Sequence, residues 1–107
     1  MHVIVWAFEV APEYQAAFEA AYGAEGDWAR LFRRGDGYVR CELLHSTSDG
    51  SRYVTLDFWE SRAAFEVFKR EFAADYQALD RSLERLTLTE TLLGILTEGA
   101  PLVDSRA

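Results

Sequence analysis

A chain of 107 residues, 50% apolar and 14% aromatic, is sized for one domain with its own hydrophobic core and is too apolar for a disordered segment. Eighteen acidic against eleven basic side chains leave a net charge of −7, a surface that repels phosphate backbones and anionic lipid, so neither a nucleic-acid nor a membrane partner is expected. The single cysteine, Cys41, forbids an internal disulfide, no apolar run approaches the roughly 20 residues that span a bilayer, and Met1–Val10 lacks the marks of a signal peptide, so a cytoplasmic location is expected.

His2–Val10 is dense in Val, Ile, Trp and Phe on both faces and reads as a buried central strand. Pro12 suits a first helical turn, and Glu13 suits the positive end of the helix dipole. Tyr14, Phe18 and Tyr22, with Ala17 and Ala21, form one helical stripe that Gly23 can end. Asp27 as N-cap opens a short second helix with Trp28, Leu31 and Phe32 inward, and Gly35-Asp36-Gly37 breaks the pattern. Tyr38–Ser46 and Arg52–Glu60 alternate around Asp49-Gly50, a pair suited to a two-residue type I′ turn. That turn sets Cys41 opposite Phe58, Leu43 opposite Leu56 and His45 opposite Val54. Val39, Cys41, Leu43, His45, Val54, Leu56 and Phe58 then form the face expected to meet helices. Tyr38, Arg40, Glu42, Leu44, Tyr53, Thr55, Asp57 and Trp59 form the other. Ser61 can cap one long helix, or two collinear ones broken near Asp75, over 62–85, with Phe65, Phe68, Phe72, Tyr76, Leu79 and Leu83 on one stripe. Leu86–Thr97 reads as the last strand. The domain is therefore expected over residues 1–97, with a tail over 98–107.

The order β-α-β-β-α-β is the split βαβ arrangement of an α+β, ferredoxin-like fold. Right-handed crossovers give a four-stranded antiparallel sheet of order 4-1-3-2 with helices on one face. Phe8 before the Phe18/Tyr22 stripe is echoed by Phe58 before Phe68 and Phe72. Helices on one side leave the other sheet face bare, with Tyr38, Leu44, Tyr53 and Trp59 on it. A second copy packed sheet to sheet would cover such a patch, so a homodimer is expected. The alternative is a monomer whose bare face is wet, with Arg40, Glu42 and Asp57 in ordinary cross-strand ion pairs.

The run Asp57-Phe58-Trp59-Glu60-Ser61, followed by Ala64-Phe65 and Phe68, resembles the W-E-S…A-F signature of the dimeric α+β barrel superfamily. It is most similar to the antibiotic-biosynthesis-monooxygenase-like branch. The Gly37-Tyr38 start of the hairpin matches as well, and the resemblance covers residues 2–96. It implies a dimeric barrel. It also implies oxygenation, without an organic or metal cofactor, of a quinol or polyketide-like aromatic bound between sheet and helices. The deprotonated substrate would itself reduce dioxygen, and the protein would supply desolvation, a proton acceptor and donors to the oxyanion. Such barrels host many chemistries, so a non-catalytic barrel that binds a ligand or only assembles is the competing reading. Haem-degrading relatives carry an Asn on the first strand, a Trp nine residues after the signature Trp and a His ten residues further on. Here the first strand has no Asn, and those later positions are Phe68 and Ala78.

Within that frame His45 is the candidate general base, because imidazole is the side-chain type suited to proton transfer near neutral pH; idle exposure at a strand end is the alternative. Arg40 is the candidate for holding an enolate or phenolate; a pair with Asp57 or Glu42 is the alternative. Trp6, Trp28, Phe32, Trp59, Phe68, Phe72 and Tyr76 could line one cavity for a flat aromatic guest, or simply be core. Cys41 and His45 are about 13 Å apart along a strand, too far to share a metal, and no cluster of Cys or His suggests one. No phosphate loop, dinucleotide fingerprint or nucleophile elbow is present.

Overall fold

The computed structural model describes residues 1–99; the end of the expected tail, 100–107, lies outside the described residues. The elements run β1 (His2–Glu9), α1 (Gln15–Tyr22), α2 (Asp27–Phe32), β2 (Tyr38–His45), β3 (Arg52–Trp59), α3 (Arg62–Glu71), α4 (Ala73–Leu83) and β4 (Thr89–Leu96). Pro12–Tyr14 and Glu84–Leu86 form single 3-10 turns. All neighbouring strands are antiparallel, in the order β2-β3-β1-β4, which is the expected 4-1-3-2 read from the other edge.

Local chemistry sets most of the boundaries. Pro12 opens its 3-10 turn, where a missing N–H is harmless. The Ser61 hydroxyl accepts a hydrogen bond from the Ala64 N–H at 3.0 Å and caps α3. Gly26, not Asp27, precedes α2, and Asp27 in its first turn pairs with Arg30. Of the two arrangements expected over 62–85 the chain takes two helices, and the break falls at Phe72 rather than Asp75.

The hairpin corrects the sequence reading. Asp49-Gly50 does not form a type I′ turn, since Gly37 is the only described residue at positive φ. Instead a five-residue loop, 47–51, joins the strands. The Ser46 hydroxyl accepts from the Ser48 and Asp49 N–H groups, and Asp49 accepts from the N–H and hydroxyl of Ser51. Ser46 then pairs with Arg52, so Cys41 lies opposite Asp57, Leu43 opposite Thr55 and His45 opposite Tyr53. A slip of one residue turns a strand over. Tyr53, Thr55, Asp57 and Trp59 therefore face the helices, and Val54, Leu56 and Phe58 face away. A bulge at Val39 brings Tyr38 to the helix side beside Trp59, with ring centroids 5.4 Å apart.

The core lies between that face and the helices. His2, Ile4, Trp6 and Phe8 alternate along β1 toward it, and Phe8 meets Phe18 and Tyr22. Trp59, fully buried, packs on Phe32, Phe65 and Phe68. The opposite face carries Val3, Val5 and Ala7 of β1, Val54, Leu56 and Phe58 of β3, Arg40, Glu42 and Leu44 of β2, and Leu96 of β4. The bare face predicted from sequence is thus present, but Leu44 alone of the four residues assigned to it lies there.

Candidate active site

Rings from α1, α2 and α4 do not close completely on the sheet. A half-open cavity of about 210 Å³ is left among Trp6 and Phe8 of β1, Cys41 of β2, Thr55 and Asp57 of β3, Glu90 of β4, Tyr22, Trp28 and Phe32 of the first two helices, and Tyr76 and Asp80 of α4. A second, adjoining lobe of about 170 Å³ shares Trp6, Phe32, Asp57 and Tyr76 and adds Ile4, Phe65, Lys69, Leu92 and Ile95. Ligand sites typically measure roughly 300–1,000 Å³. Neither lobe alone reaches that range, and Trp6, Phe32, Asp57 and Tyr76 line both.

Asp57 stands where the lobes meet. Desolvation is what acts on its carboxyl: among the described residues it has no hydrogen bond and no ion pair, and burial pushes it up to about 7. Such a carboxyl is half ionised at neutral pH and can take a proton. The hydroxyls around it do the reverse. Burial raises Tyr76 to about 12 and Tyr22 further still, so both stay protonated and serve as donors. Burial also raises the Cys41 thiol, which keeps it protonated and poorly nucleophilic, with Sγ near the Gly23 carbonyl at 3.9 Å. Glu90 is raised by burial and then by the nearby Asp80 and Glu84. The cavity mouth is therefore acidic, its walls aromatic, and its centre a single proton acceptor. Among the described residues no three His, Cys, Asp or Glu side chains converge as metal ligands.

The sequence profile of the antibiotic biosynthesis monooxygenase family matches residues 1–78. The chain belongs to that family. No curated protein matches it. Solved structures share the fold. SnoaB, a cofactor-independent oxygenase from Streptomyces nogalater, is 23% identical, with 94% of this chain and 95% of that one covered and a TM-score of 0.70. A Deinococcus radiodurans protein, described with the antibiotic biosynthesis monooxygenases, is 13% identical, with 96% and 97% covered and a TM-score of 0.73. A Pseudomonas aeruginosa protein is 18% identical, with 92% and 94% covered and a TM-score of 0.66. At these identities the likeness establishes the architecture of the monooxygenase family and leaves the chemistry to the site.

Of the residues singled out in the sequence, Trp6, Trp28, Phe32 and Tyr76 line the cavity together. Trp59 and Phe68 are buried in the core behind it. Phe72 lies at the helix break with the Arg34 guanidinium 4.8 Å from its ring centre. Neither His45 nor Arg40 reaches either lobe. His45 bonds the Gly50 carbonyl at 2.7 Å through Nε2 and stacks on Tyr53 at the far end of the hairpin. Arg40 is on the bare face, 3.0 Å from Glu42 and 3.9 Å above the Phe58 ring. The slip of register explains why sequence reasoning misses Asp57 and Thr55: a two-residue turn puts both on the opposite face. The sequence does hold a signal. Tyr53 and Trp59 are the largest side chains of β3 and share a face with Thr55 and Asp57, so burying the two rings carries the carboxylate inward with them.

Proposed function

We propose that this member of the monooxygenase family oxygenates a small phenolic or quinol-type aromatic in the two-lobed cavity, with Asp57 as proton acceptor. The observation that carries this is an unpaired carboxyl with a pKa near 7 amid Trp6, Trp28, Phe32 and Tyr76. The Asp57 carboxylate takes the proton of a ring hydroxyl or an acidic ring methylene, giving a neutral acid and a delocalised anion. That anion reduces dioxygen. For a ring methylene the overall change consumes one dioxygen molecule: one oxygen atom becomes the new carbonyl oxygen, and the other leaves as water with the two methylene hydrogens. Protonated Tyr22 and Tyr76 and the Thr55 hydroxyl supply donors to the developing oxyanion. SnoaB, described as a cofactor-independent oxygenase, supports the same class of reaction. Two copies packed through the bare sheet faces complete the proposed assembly.

Oxygen uptake with a panel of hydroquinones and anthrones tests the reading. Asp57→Asn is expected to lower the rate by about 10²-fold or more, the usual yield of a positioned base. His45→Ala and Arg40→Ala, outside the cavity, are expected to keep the wild-type rate. Ring compounds that bind without any oxygen uptake would replace the enzyme with a ligand-binding barrel.

A further inference from the structure

Lys69 is the chain's only lysine, and it sits in the lobe that Asp57 shares. Its ammonium lies 3.9 Å from the centre of the Tyr76 ring and 5.8 Å from that of Phe65. Arg30, Arg33, Arg34, Arg40 and Arg62 each pair with a carboxylate. Among the described residues Lys69 makes no such pair, and neither do Arg52, Arg70, Arg81 and Arg85; of these Lys69 alone lines a lobe of the cavity. Asp57 on β3 and Tyr76 on α4 line the same lobe, and Asp80 of α4 is the carboxylate whose charge acts on the ammonium. Burial pulls the ammonium below the ordinary lysine value and Asp80 pulls it partly back. Rings hold a cation weakly and leave its donors free for a stronger partner.

We propose that Lys69 holds the anion that Asp57 creates, and that the second lobe thereby selects aromatics carrying an acidic ring oxygen. This rests on the oxygenation reading given above. The charge balance is the reason. Proton transfer from a ring hydroxyl to Asp57 Oδ moves one negative charge from the carboxylate to the ring. In an apolar cavity that charge needs a counterion, and the Lys69 ammonium is the cation lining the lobe. Lys69 is itself an exposed residue, so it meets the anion from the open side of the lobe, where the ring walls lower the permittivity and strengthen the attraction relative to bulk water. The transfer moves the charge from a carboxyl that has no ion pair among the described residues to a ring oxygen in the lobe that Lys69 lines.

The test uses 4-nitrophenol, which does not consume oxygen and whose phenolate absorbs visible light. Its ionisation midpoint is followed against pH with saturating full-length protein for wild type, Lys69→Met, Lys69→Arg and Asp57→Asn, with circular dichroism to confirm folding. Lys69→Met is expected to raise the midpoint of the bound probe by about one pH unit, a tenfold loss of phenolate stabilisation. Lys69→Arg is expected to restore most of it, and Lys69→Met in the Asp57→Asn background to show the same upward shift. A bound probe with an unchanged midpoint in Lys69→Met overturns the role of Lys69 and leaves the cavity reading intact. Failure of wild type to bind the probe overturns both.

Discussion

Asp57 carries a cost to the fold that can be measured apart from activity. Its carboxyl titrates at about 7 in the folded chain against 3.8 as its unperturbed value. A raised pKa means that the folded state prefers the protonated form. The stability contributed by that form is fully present below the unfolded value and is lost as pH climbs through 7. Asn has the same shape and no such titration. Urea denaturation at pH 5 and pH 8 should therefore show Asp57→Asn gaining on wild type by roughly 2 kcal/mol between the two. An equal difference at both pH values would mean that the carboxyl is not perturbed, and the proposed base would lose its basis. The same group sets the acid side of the reaction: oxygen uptake should rise through pH 7 in wild type, and that limb should vanish in Asp57→Asn.

At the level of elements, the joints on either side of the hairpin decide which side chains reach the cavity. Gly37 has φ of +90°, and a Cβ there would lie 2.6 Å from the Ala64 Cβ of α3. Its carbonyl accepts the Glu60 N–H at 2.7 Å, which ties the start of β2 to the end of β3. Gly37→Ala combines an unfavourable backbone with a clash and should cost about 1–3 kcal/mol in a thermal or chemical melt. Ser61→Ala, which removes only the α3 cap, should cost about 1 kcal/mol. A Gly37→Ala variant as stable as wild type would show that this joint is not constrained. The same joints mark how far the sequence can be read. Strand order follows from the alternation of elements and the handedness of crossovers, and the Ser61 cap follows from its neighbours. Trp6, Trp28, Phe32 and Tyr76 are legible as cavity candidates because large rings at those spacings must turn inward. Asp57 is not. Its face depends on one residue of register, and that register is set by backbone hydrogen bonds to the Ser46 and Asp49 side chains rather than by a tight Asp-Gly turn. Lys69 is illegible for a different reason: a lysine on an amphipathic helix normally points to water.

The whole molecule leaves one strand short of cover on both sides. Leu92 and Ile95 of β4 face the helix layer beside Trp6 and Ile4, yet Ile95 is 56% exposed, so the helices stop short of this edge. On the bare face Leu96 is 55% exposed, and at the other edge of the sheet Leu44 is 52% exposed. An edge strand with leucines uncovered on both faces invites pairing or aggregation unless something covers it. A second copy set sheet to sheet would bury Val54, Leu56 and Phe58 and the leucines at both margins, and a two-fold axis would close the contact without leaving a new edge. Because Leu44 and Leu96 are half exposed in one copy, a charge at either should leave the single chain folded, whereas inside a sheet-to-sheet contact it would be buried without a partner. Sedimentation at micromolar concentration should give the mass of two chains for wild type and of one chain for the double variant Leu44→Glu, Leu96→Glu. The helix spectrum should be unchanged between them. A wild-type mass of one chain would remove the dimer, and a double variant that still sediments as two chains would move the contact off this face. The cavity lies on the other side of the sheet, so oxygen uptake by the single-chain variant would separate the chemistry of Asp57 from the assembly that carries it.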